Sequence, residues 1–349
     1  MSETTFSSKA YQPMPKPESD AVNPSLSMPV ESASAPSVAS PVSSSRPRKA
    51  PKPKGLNLAT LVSRYGTSEK CRELLCRLRW NNGPQCPRCN DSAVELETDK
   101  QLFYCKRCDY QFTVTAGTIF NDSHLPLEKW FMATLLLCEA KKGISAHQIH
   151  RTLGISYKTA WYLCHRIRAA MKEAAKPRLT GTVEMDETYV GGRNIGQGHA
   201  AKHDNKEIVI GIRQRNGDLR LFHASDVKAG TLAQYIRGNV KSNVDVIITD
   251  DFASYPYAAR LAGVPHRSIN HSGKVYVMGE IHTNTVENAF SLLKRGIMGT
   301  WHRISPKHLA AYLEEMEFRF NRRNRPDLFI DTLRHMVSAP VLTFEKLTA

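Results

Sequence analysis

Apolar side chains recur at the three- and four-residue spacing of amphipathic helices through much of the first half of the chain, from Leu56 onwards. The earliest repeats predict two short helices, the second of which begins at Ser68. A later repeat predicts a helix over Leu127–Ala140. Ser145 and Ser156 then predict the starts of two more helices, because a serine side chain can accept a hydrogen bond from a free N–H of the first turn.

After Pro177 the pattern changes to short apolar runs that alternate with helices, which is typical of an α/β region. The strand-like runs are Thr182–Val190, Glu207–Ile212, Leu219–Ala224 and Val244–Thr249. Between the second and third runs, Asn216-Gly217 predicts a β-hairpin, because both residues tolerate the positive φ angles of a tight turn. A further amphipathic helix is predicted from about Thr285 to Arg295.

Residues 1–55 follow neither pattern. They are rich in Ser, Pro and Ala, contain only two aromatic residues, Phe6 and Tyr11, and end in a basic run interrupted by prolines. Such a segment buries too little apolar surface to offset the entropy of ordering, so we expect a disordered linker. The alternative is a flexible arm whose basic residues touch phosphates.

Composition indicates the class of partner. The 349 residues include 48 Lys or Arg and 33 Asp or Glu, and the resulting net charge of +15 favours a polyanion, with nucleic acid first. No apolar run approaches the roughly 20 residues that a membrane-spanning helix needs. No apolar segment follows a basic start at the N-terminus, so we expect no secretory signal and a cytoplasmic protein.

Four of the eight cysteines form two CxxC pairs, Cys86 with Cys89 and Cys105 with Cys108. Two residues between thiolates allow both sulfurs to reach one ion, and two such pairs complete a tetrahedral shell. The spacing predicts a structural zinc ribbon, because an all-thiolate shell leaves no open position for catalysis. The other four, predicted to be ordinary core thiols, are Cys71, Cys76, Cys138 and Cys164.

The two helices that begin at Ser145 and Ser156 are separated by Gly154, which is the arrangement of a helix-turn-helix module that reads DNA. We expect the second helix to expose basic residues to DNA. These residues are Lys158, His165, Arg166 and Arg168. A plain helical hairpin is the alternative.

Acidic residues interrupt two of the predicted strands. Alternation places Glu184 and Asp186 on one face of the first strand and Glu187 on the other. Asp250 ends the fourth strand. Glu287 lies near the start of the amphipathic helix predicted from about Thr285 to Arg295. Acids in an apolar strand are expected to be buried only when they bind a partner.

Phosphodiester chemistry would explain this distribution. Two divalent cations about 4 Å apart can activate an attacking oxygen and stabilise a leaving oxygen, and such hard ions take carboxylate ligands. We therefore expect Asp186, Asp250 and Glu287 to bind two Mg²⁺ or Mn²⁺ ions. Each acid alone also fits an ordinary strand end or helix start, so the prediction depends on the combination.

Short motifs are spread over residues 56 to 325. They are Arg79-Trp80, Gly117–Phe120 with Trp130, Val183–Gly192, Thr249-Asp250 followed by Tyr255, His282–Glu287, Leu293-Lys294 and Arg319–Arg323. Together with the cysteine pairs, they make the chain resemble bacterial insertion-sequence transposases of the DDE type, in particular the zinc-ribbon group called IS1595 or ISXO2-like.

The resemblance implies an RNase H-like core that cuts DNA strands at transposon ends and joins the freed 3′-hydroxyls to target DNA. It implies metal-binding acids at Asp186, Asp250 and Glu287. Because the third residue can be Asn in such families, Asn284 and Asn288 are rival assignments.

The resemblance also implies a DNA contact at Lys294, for which a solvated helix lysine is the alternative. His271 and His282, which flank the segment before this helix, are further candidates for contact with the scissile phosphate. The expected partners are double-stranded DNA at the transposon ends and the target, and further copies of the chain in a homodimer or larger assembly. We expect no membrane or small-molecule partner, and a nucleoid-associated location in a bacterium.

The sequence thus predicts a multidomain α+β protein. The expected parts are a disordered tail (1–55), a helix plus zinc ribbon (56–120), a helix-turn-helix region (121–176), an RNase H-like catalytic domain with a mixed sheet (177–325) and a C-terminal tail (326–349). The predicted function is a DNA transposase. The alternatives are a DNA-binding regulator with an inactive nuclease-like core and a nuclease that only hydrolyses.

Overall fold

A computed structural model describes residues 56–97, 101–191, 206–269 and 282–349. The segment 1–55 and His271 lie outside these residues, so the expectations about them stay predictions.

Two short helices and a small sheet begin the described chain. The helices are α1 (Leu58–Tyr65) and α2 (Ser68–Arg79), and the strands are β1 (Val94–Glu97), β2 (Leu102–Cys105) and β3 (Gln111–Phe112). The side chains of Asn57 and Thr67 accept hydrogen bonds from the first turns of α1 and α2, which satisfies N–H groups that have no partner within the helix. All neighbouring strands in this sheet are antiparallel.

Three helices follow, and their ends confirm the capping predictions. They are α3 (Leu127–Glu139), α4 (Ala146–Leu153) and α5 (Tyr157–Ala170). The hydroxyls of Ser145 and Ser156 each accept a first-turn N–H bond at 3.1 Å, and Gly154 ends α4. Within the described ranges, no helix combines the length and apolar character needed to cross a membrane.

The second sheet is mixed, as predicted. Its strands are β4 (Thr182–Gly191), β5 (Lys206–Gln214), β6 (Leu219–Ala224), β7 (Val246–Asp250) and β8 (His266–Ile269). They lie in the order β6-β5-β4-β7-β8. The pairs β4–β5 and β5–β6 are antiparallel, whereas β4–β7 and β7–β8 are parallel. The predicted β5–β6 hairpin is present, with Asn216 at φ 57°.

Helices cover both faces of this sheet. One face packs against α6 (Ala229–Asn239) and α7 (Ser254–Ala262), and the other against α8 (Asn284–Gly296) and α9 (Pro306–Arg322). A π-helical turn, Ile297–Trp301, joins α8 to α9. Because strand side chains alternate between faces, β4 contributes Val183 and Met185 to the first core and presents its acids at Glu184 and Asp186 to the second.

The expectation of a C-terminal tail over 326–349 is wrong. This segment contains α10 (Leu328–Ser338) and α11 (Phe344–Thr348). Helix α10 packs against α2, α3 and α5, and its Leu333 and Met336 are fully buried. The apolar residues of α10 recur at helical spacing and complete the core of the N-terminal helices. That core is therefore built from both ends of the described chain.

Buried ion pairs on α9 connect the two halves of the fold. Glu315 is fully buried, and its carboxylate lies 2.6 Å from Arg168 Nε on α5 and 2.9 Å from Arg319 Nη2. Two residues on, Glu317 accepts the N–H of Leu221 in β6 at 3.1 Å and pairs with Lys176. Because an unpaired buried charge costs several kcal/mol, these pairs attach the sheet to the helical region.

Leu333→Ala tests the packing of α10. Truncating a fully buried leucine costs about 2–5 kcal/mol of unfolding free energy, because lost transfer energy and a cavity add. The exposed Leu261 on α7 provides the control, since Leu261→Ala should cost less than about 0.5 kcal/mol. Urea unfolding measures both, and equal small losses would contradict a buried α10.

Candidate metal sites

The four cysteines of the CxxC pairs converge on one point. The Sγ atoms of Cys86, Cys89, Cys105 and Cys108 all lie within 4.8 Å of one another. The Cys86–Cys108 and Cys89–Cys105 sulfur distances are both 3.6 Å. Zn–S bonds of about 2.3 Å in a tetrahedron require sulfurs roughly 3.8 Å apart, so the thiol set fits one zinc ion.

The same turn shapes both cysteine pairs. Asn90 and Asp109, which directly follow the two CxxC pairs, have φ angles of 58° and 53°. The N–H of Asn90 donates to Cys86 O at 2.8 Å, and that of Asp109 donates to Cys105 O at 3.0 Å. Asn and Asp adopt positive φ more readily than other non-glycine residues. Each turn thereby aims two thiols towards the common centre.

The cysteine cluster is anchored to α2 by the Arg79-Trp80 motif. The Arg79 guanidinium donates to Ala116 O at 2.8 Å, beyond the last strand of the small sheet. The Trp80 ring packs edge-on against Phe103 at 5.1 Å and Phe112 at 6.3 Å. This motif is therefore a packing element that joins the helix to the ribbon.

Asp186 in β4 and Asp250 at the end of β7 lie just beyond the residues through which these neighbouring parallel strands pair. The β4–β7 register pairs Glu184 with Ile248 as its last step. Continuing both strands by two residues brings Asp186 alongside Asp250, on the same face of the sheet. The two acids thus lie where β4 and β7 stop pairing, while β4 continues alongside β5 to Gly191. The gap that opens beside β4 beyond the end of β7 leaves room for ligands.

The electrostatics of Asp186 show that several carboxylates surround it. Burial, together with the charges of Glu187, Asp250 and Glu287, raises the pKa of Asp186 to about 8. Burial also raises the pKa of Glu187, although a hydrogen bond from the Tyr255 hydroxyl opposes this shift. The three acids that sequence reasoning combined are therefore electrostatic neighbours.

Glu184 holds the start of α8 against β4. Its fully buried carboxylate accepts the N–H groups of Thr285 and Val286 at 2.9 and 3.1 Å and the Thr285 hydroxyl at 2.6 Å. Arg215 Nε donates to it at 2.9 Å, and His282 Nδ1 lies 3.2 Å away. The sequence places Glu184 on the same strand face as Asp186, but no role was predicted for it. An acid inside an otherwise apolar strand was the feature that could have indicated a buried, hydrogen-bonded carboxylate.

Close packing keeps α8 beside Asp186. The cross-strand partner of Asp186 is Gly211. A Cβ atom there would lie 2.7 Å from Phe290 Cζ and 2.8 Å from Val286 Cγ2, both on α8. Glycine at this position therefore allows the helix to approach the sheet.

The third acidic position lies on the first turn of α8. Glu287 Oε1 accepts a hydrogen bond from the Thr283 hydroxyl at 2.7 Å. Asn284 and Asn288 are exposed on the same helix. Glu287 is exposed as well, and its charge contributes to the raised pKa of Asp186. The choice among the three residues stays a prediction.

The carboxylates form a wider group than the cysteines. Over the ranges that the structure describes, the cysteine quartet is the only set of three or more His, Cys, Asp or Glu with ligand atoms within 4.8 Å. Two ions about 4 Å apart need ligands distributed around both, so a wider acid group suits them. Burial and, after it, repulsion from neighbouring carboxylates raise the pKa of Asp186, and bound cations would relieve this repulsion.

The expectation that α5 exposes four basic residues is wrong for three of them. Lys158 in the first turn is exposed, but His165, Arg166 and Arg168 are at most 2 % exposed. Arg168 is paired with Glu315. The reason is that the later turns of α5 are enclosed by the α9 and α10 helices, which helical periodicity alone does not reveal.

Arg166 also has structural partners. Its guanidinium donates to the carbonyl of Asn121 and lies over the Trp130 ring at 4.9 Å and the Tyr162 ring at 5.1 Å. Lys294, in contrast, is exposed in the last turn of α8, seven residues after Glu287. Lys158 and Lys294 are thus the two expected DNA contacts whose side chains reach solvent.

Comparisons with known proteins identify two parts of the chain. Residues 66–111 match the model of a transposase zinc-ribbon domain, and residues 178–321 match that of an ISXO2-like transposase domain. The two matches together span just over half of the chain. The chain is also 28 % identical, over 278 residues, to an uncharacterized protein in transposable element ISH50 of Halobacterium salinarum, which covers 74 % of this chain and 92 % of that protein.

The zinc-ribbon match and the thiol geometry together support a structural zinc ion, and Cys105→Ser tests it. Cys105 is fully buried within the cluster, so we expect the variant to hold much less than one zinc per chain by atomic absorption, because a three-thiolate shell is incomplete. Cys164→Ser, a buried cysteine outside the cluster, should keep its zinc. Full zinc content in Cys105→Ser would contradict the site.

Proposed function

We propose that this chain, which belongs to the IS1595-like transposases, binds the ends of its transposable element and catalyses metal-dependent cleavage and strand transfer. The observation that carries the proposal is the electrostatic grouping of Asp186, Asp250 and Glu287. These acids come from β4, β7 and α8, three elements that are far apart in the chain, and the β4–β7 register supports the nearness of the first two.

An RNase H-like core is part of this proposal. The order β6-β5-β4-β7-β8, with an antiparallel meander on one side and parallel strands on the other, supports it. The central strand β4 carries Asp186, and its parallel neighbour β7 ends at Asp250. Helix α8 crosses the same face and carries Glu287.

The proposed chemistry has two steps. In the first, water attacks a phosphorus atom at the element end, and the bond from that phosphorus to the 3′ oxygen breaks. In the second, the freed 3′-hydroxyl attacks a phosphorus in target DNA and displaces the 3′ oxygen there. Two Mg²⁺ or Mn²⁺ ions, when bound by the three acids, would supply Lewis acidity for the attacking and leaving oxygens.

The residues of the chain take distinct parts in this chemistry. Asp186 would hold the ions together with Asp250 and Glu287, which is supported by the effect of both charges on its pKa. Lys294 contacts a DNA phosphate, because its exposed ammonium lies two helical turns, about 10 Å, along α8 from Glu287. Thr283 orients the Glu287 carboxylate through its hydroxyl.

Helices α4 and α5 are assigned to DNA recognition. Two helices separated by a short turn at Gly154 support a helix-turn-helix, in which the start of the second helix would meet the base edges. The exposed residues there include Tyr157 and Lys158, and the Tyr157 ring stacks on His147 of α4 at 4.2 Å. The recognition surface is therefore the start of α5, not its full length.

Asp186→Asn tests the proposed reaction. The amide cannot supply the charge that the ions need, so strand transfer with Mg²⁺ should fall by at least about a thousandfold while binding to terminal DNA persists. Gel analysis of cleaved and joined products measures both. Retained activity would overturn the acid assignment; binding without cleavage in the unaltered chain would instead indicate a regulator, and cleavage without joined products a nuclease.

Lys158→Ala tests the recognition surface. The slope of log affinity against log salt is negative, because affinity falls as salt rises. Removing one phosphate contact should make this slope less steep by about 0.9 and weaken binding to terminal DNA. Lys172→Ala, an exposed lysine just beyond the other end of α5, is the matched control and should bind as the unaltered chain does. Equal effects in the two variants, measured by salt titration, would contradict the assignment.

A further inference from the structure

Glu184 is a buried acid that is not one of the three acids proposed to bind metal. Its contacts indicate that it acts through two of those acids, by holding the elements that carry them. We propose that Glu184 is a positioning residue that fixes the spacing between Asp186 and Glu287, and thereby the affinity of the acid group for divalent cations. This inference rests on the proposed function. It adds a residue that neither binds the ions nor contacts DNA.

The first argument is the cost of burying this charge. Glu184 is fully buried, and a buried carboxylate is stable only when hydrogen bonds and a positive charge compensate it. Both backbone donors and the hydroxyl come from the start of α8, and the cation is Arg215. Arg215 in turn donates to His282 O at 3.0 Å, just before the helix. Three of these four donors are therefore lost if α8 moves away from β4.

The second argument concerns the N-terminus of α8. The N-cap residue, Thr283, makes no side-chain cap to the helix, and its hydroxyl binds Glu287 instead. The strand residue Glu184 accepts the first-turn N–H groups in its place. A negative charge is favoured at this end of the helix dipole. The position of the helix start is thus set from β4.

The third argument is the short connection from Glu184 to both acids. Glu184 lies two residues before Asp186 on the same strand face, and its partner Thr285 lies two residues before Glu287. One carboxylate therefore links the two elements that carry these acids. Residues that orient metal ligands without binding metal typically contribute about 10- to 100-fold in metal affinity.

The test is a titration of the zinc-loaded full chain with Mn²⁺. Binding is measured from the relaxation rate of the water protons. Glu184→Gln should bind Mn²⁺ about tenfold more weakly than the unaltered chain, because the amide keeps the shape but loses the charge that holds Arg215. Glu317→Gln is the matched control. Glu317 is also buried and paired, but with Lys176 and β6 instead of α8, so its Mn²⁺ affinity should not change.

Thermal unfolding of the same variants separates positioning from stability. Both glutamine variants should unfold at lower temperature, and only Glu184→Gln should lose Mn²⁺ affinity. Unchanged Mn²⁺ binding in Glu184→Gln, or an equal loss in Glu317→Gln, would overturn the inference. If Glu184→Gln does not fold, Thr285→Val removes one of the same hydrogen bonds with little change of shape, and an unchanged Mn²⁺ affinity there would overturn it equally.

Asp186→Asn distinguishes this inference from the proposed function. If Asp186→Asn binds Mn²⁺ as tightly as the unaltered chain, the acid group is not the metal site, and both proposals fail. If Asp186→Asn loses Mn²⁺ binding and Glu184→Gln does not, only the positioning role of Glu184 fails. Weaker binding in both variants, with no change in Glu317→Gln, supports the two proposals together.

Discussion

The fold depends on the burial of charged side chains along α9, the helix that lies between the sheet and the N-terminal helices. Glu315 and Glu317 are almost fully buried there. A buried carboxylate is destabilising unless a cation and hydrogen bonds compensate it. Glu315 therefore needs Arg168 of α5, and Glu317 needs Lys176 and the backbone of β6. Because each requirement is met by a different element, α9 fixes the sheet relative to the helices that precede it.

The same pairing changes what the net charge of +15 means. The formal charge counts buried and exposed cations alike, although a cation already paired inside the protein cannot neutralise a phosphate. Arg166 and Arg168 are enclosed by protein, whereas Lys158 and Lys294 reach solvent at a helix start and a helix end. The excess of positive charge still favours a nucleic-acid partner, but Arg166 and Arg168 do not contribute to it at the surface.

Features that depend on neighbouring residues were predictable from the sequence. The cysteine spacing, the serine caps and the strand Leu219–Ala224 are of this kind, and the structure confirms them. The burial of Arg168 was not, because it depends on Glu315, 147 residues away. The role of Glu184 was missed for the same reason, since Thr285 is 101 residues away. Periodicity shows which positions share a helix face, but not which faces other elements cover.

Helix α8 is held at both ends, by different parts of the fold. At its start, Glu184 ties it to the strand that carries Asp186. After its end, Trp301 Nε1 donates to Ile144 O at 3.2 Å, and the indole fills the space beside Gly143, where a Cβ atom would lie 2.2 Å from the ring. Gly143 and Ile144 directly precede Ser145, the capping serine of α4. Helix α4 is the first helix of the proposed recognition pair. Helix α8 and the π-helical turn that follows it therefore connect that pair to the acid group, so displacing one without the other requires one of these two contacts to break or the connection to bend.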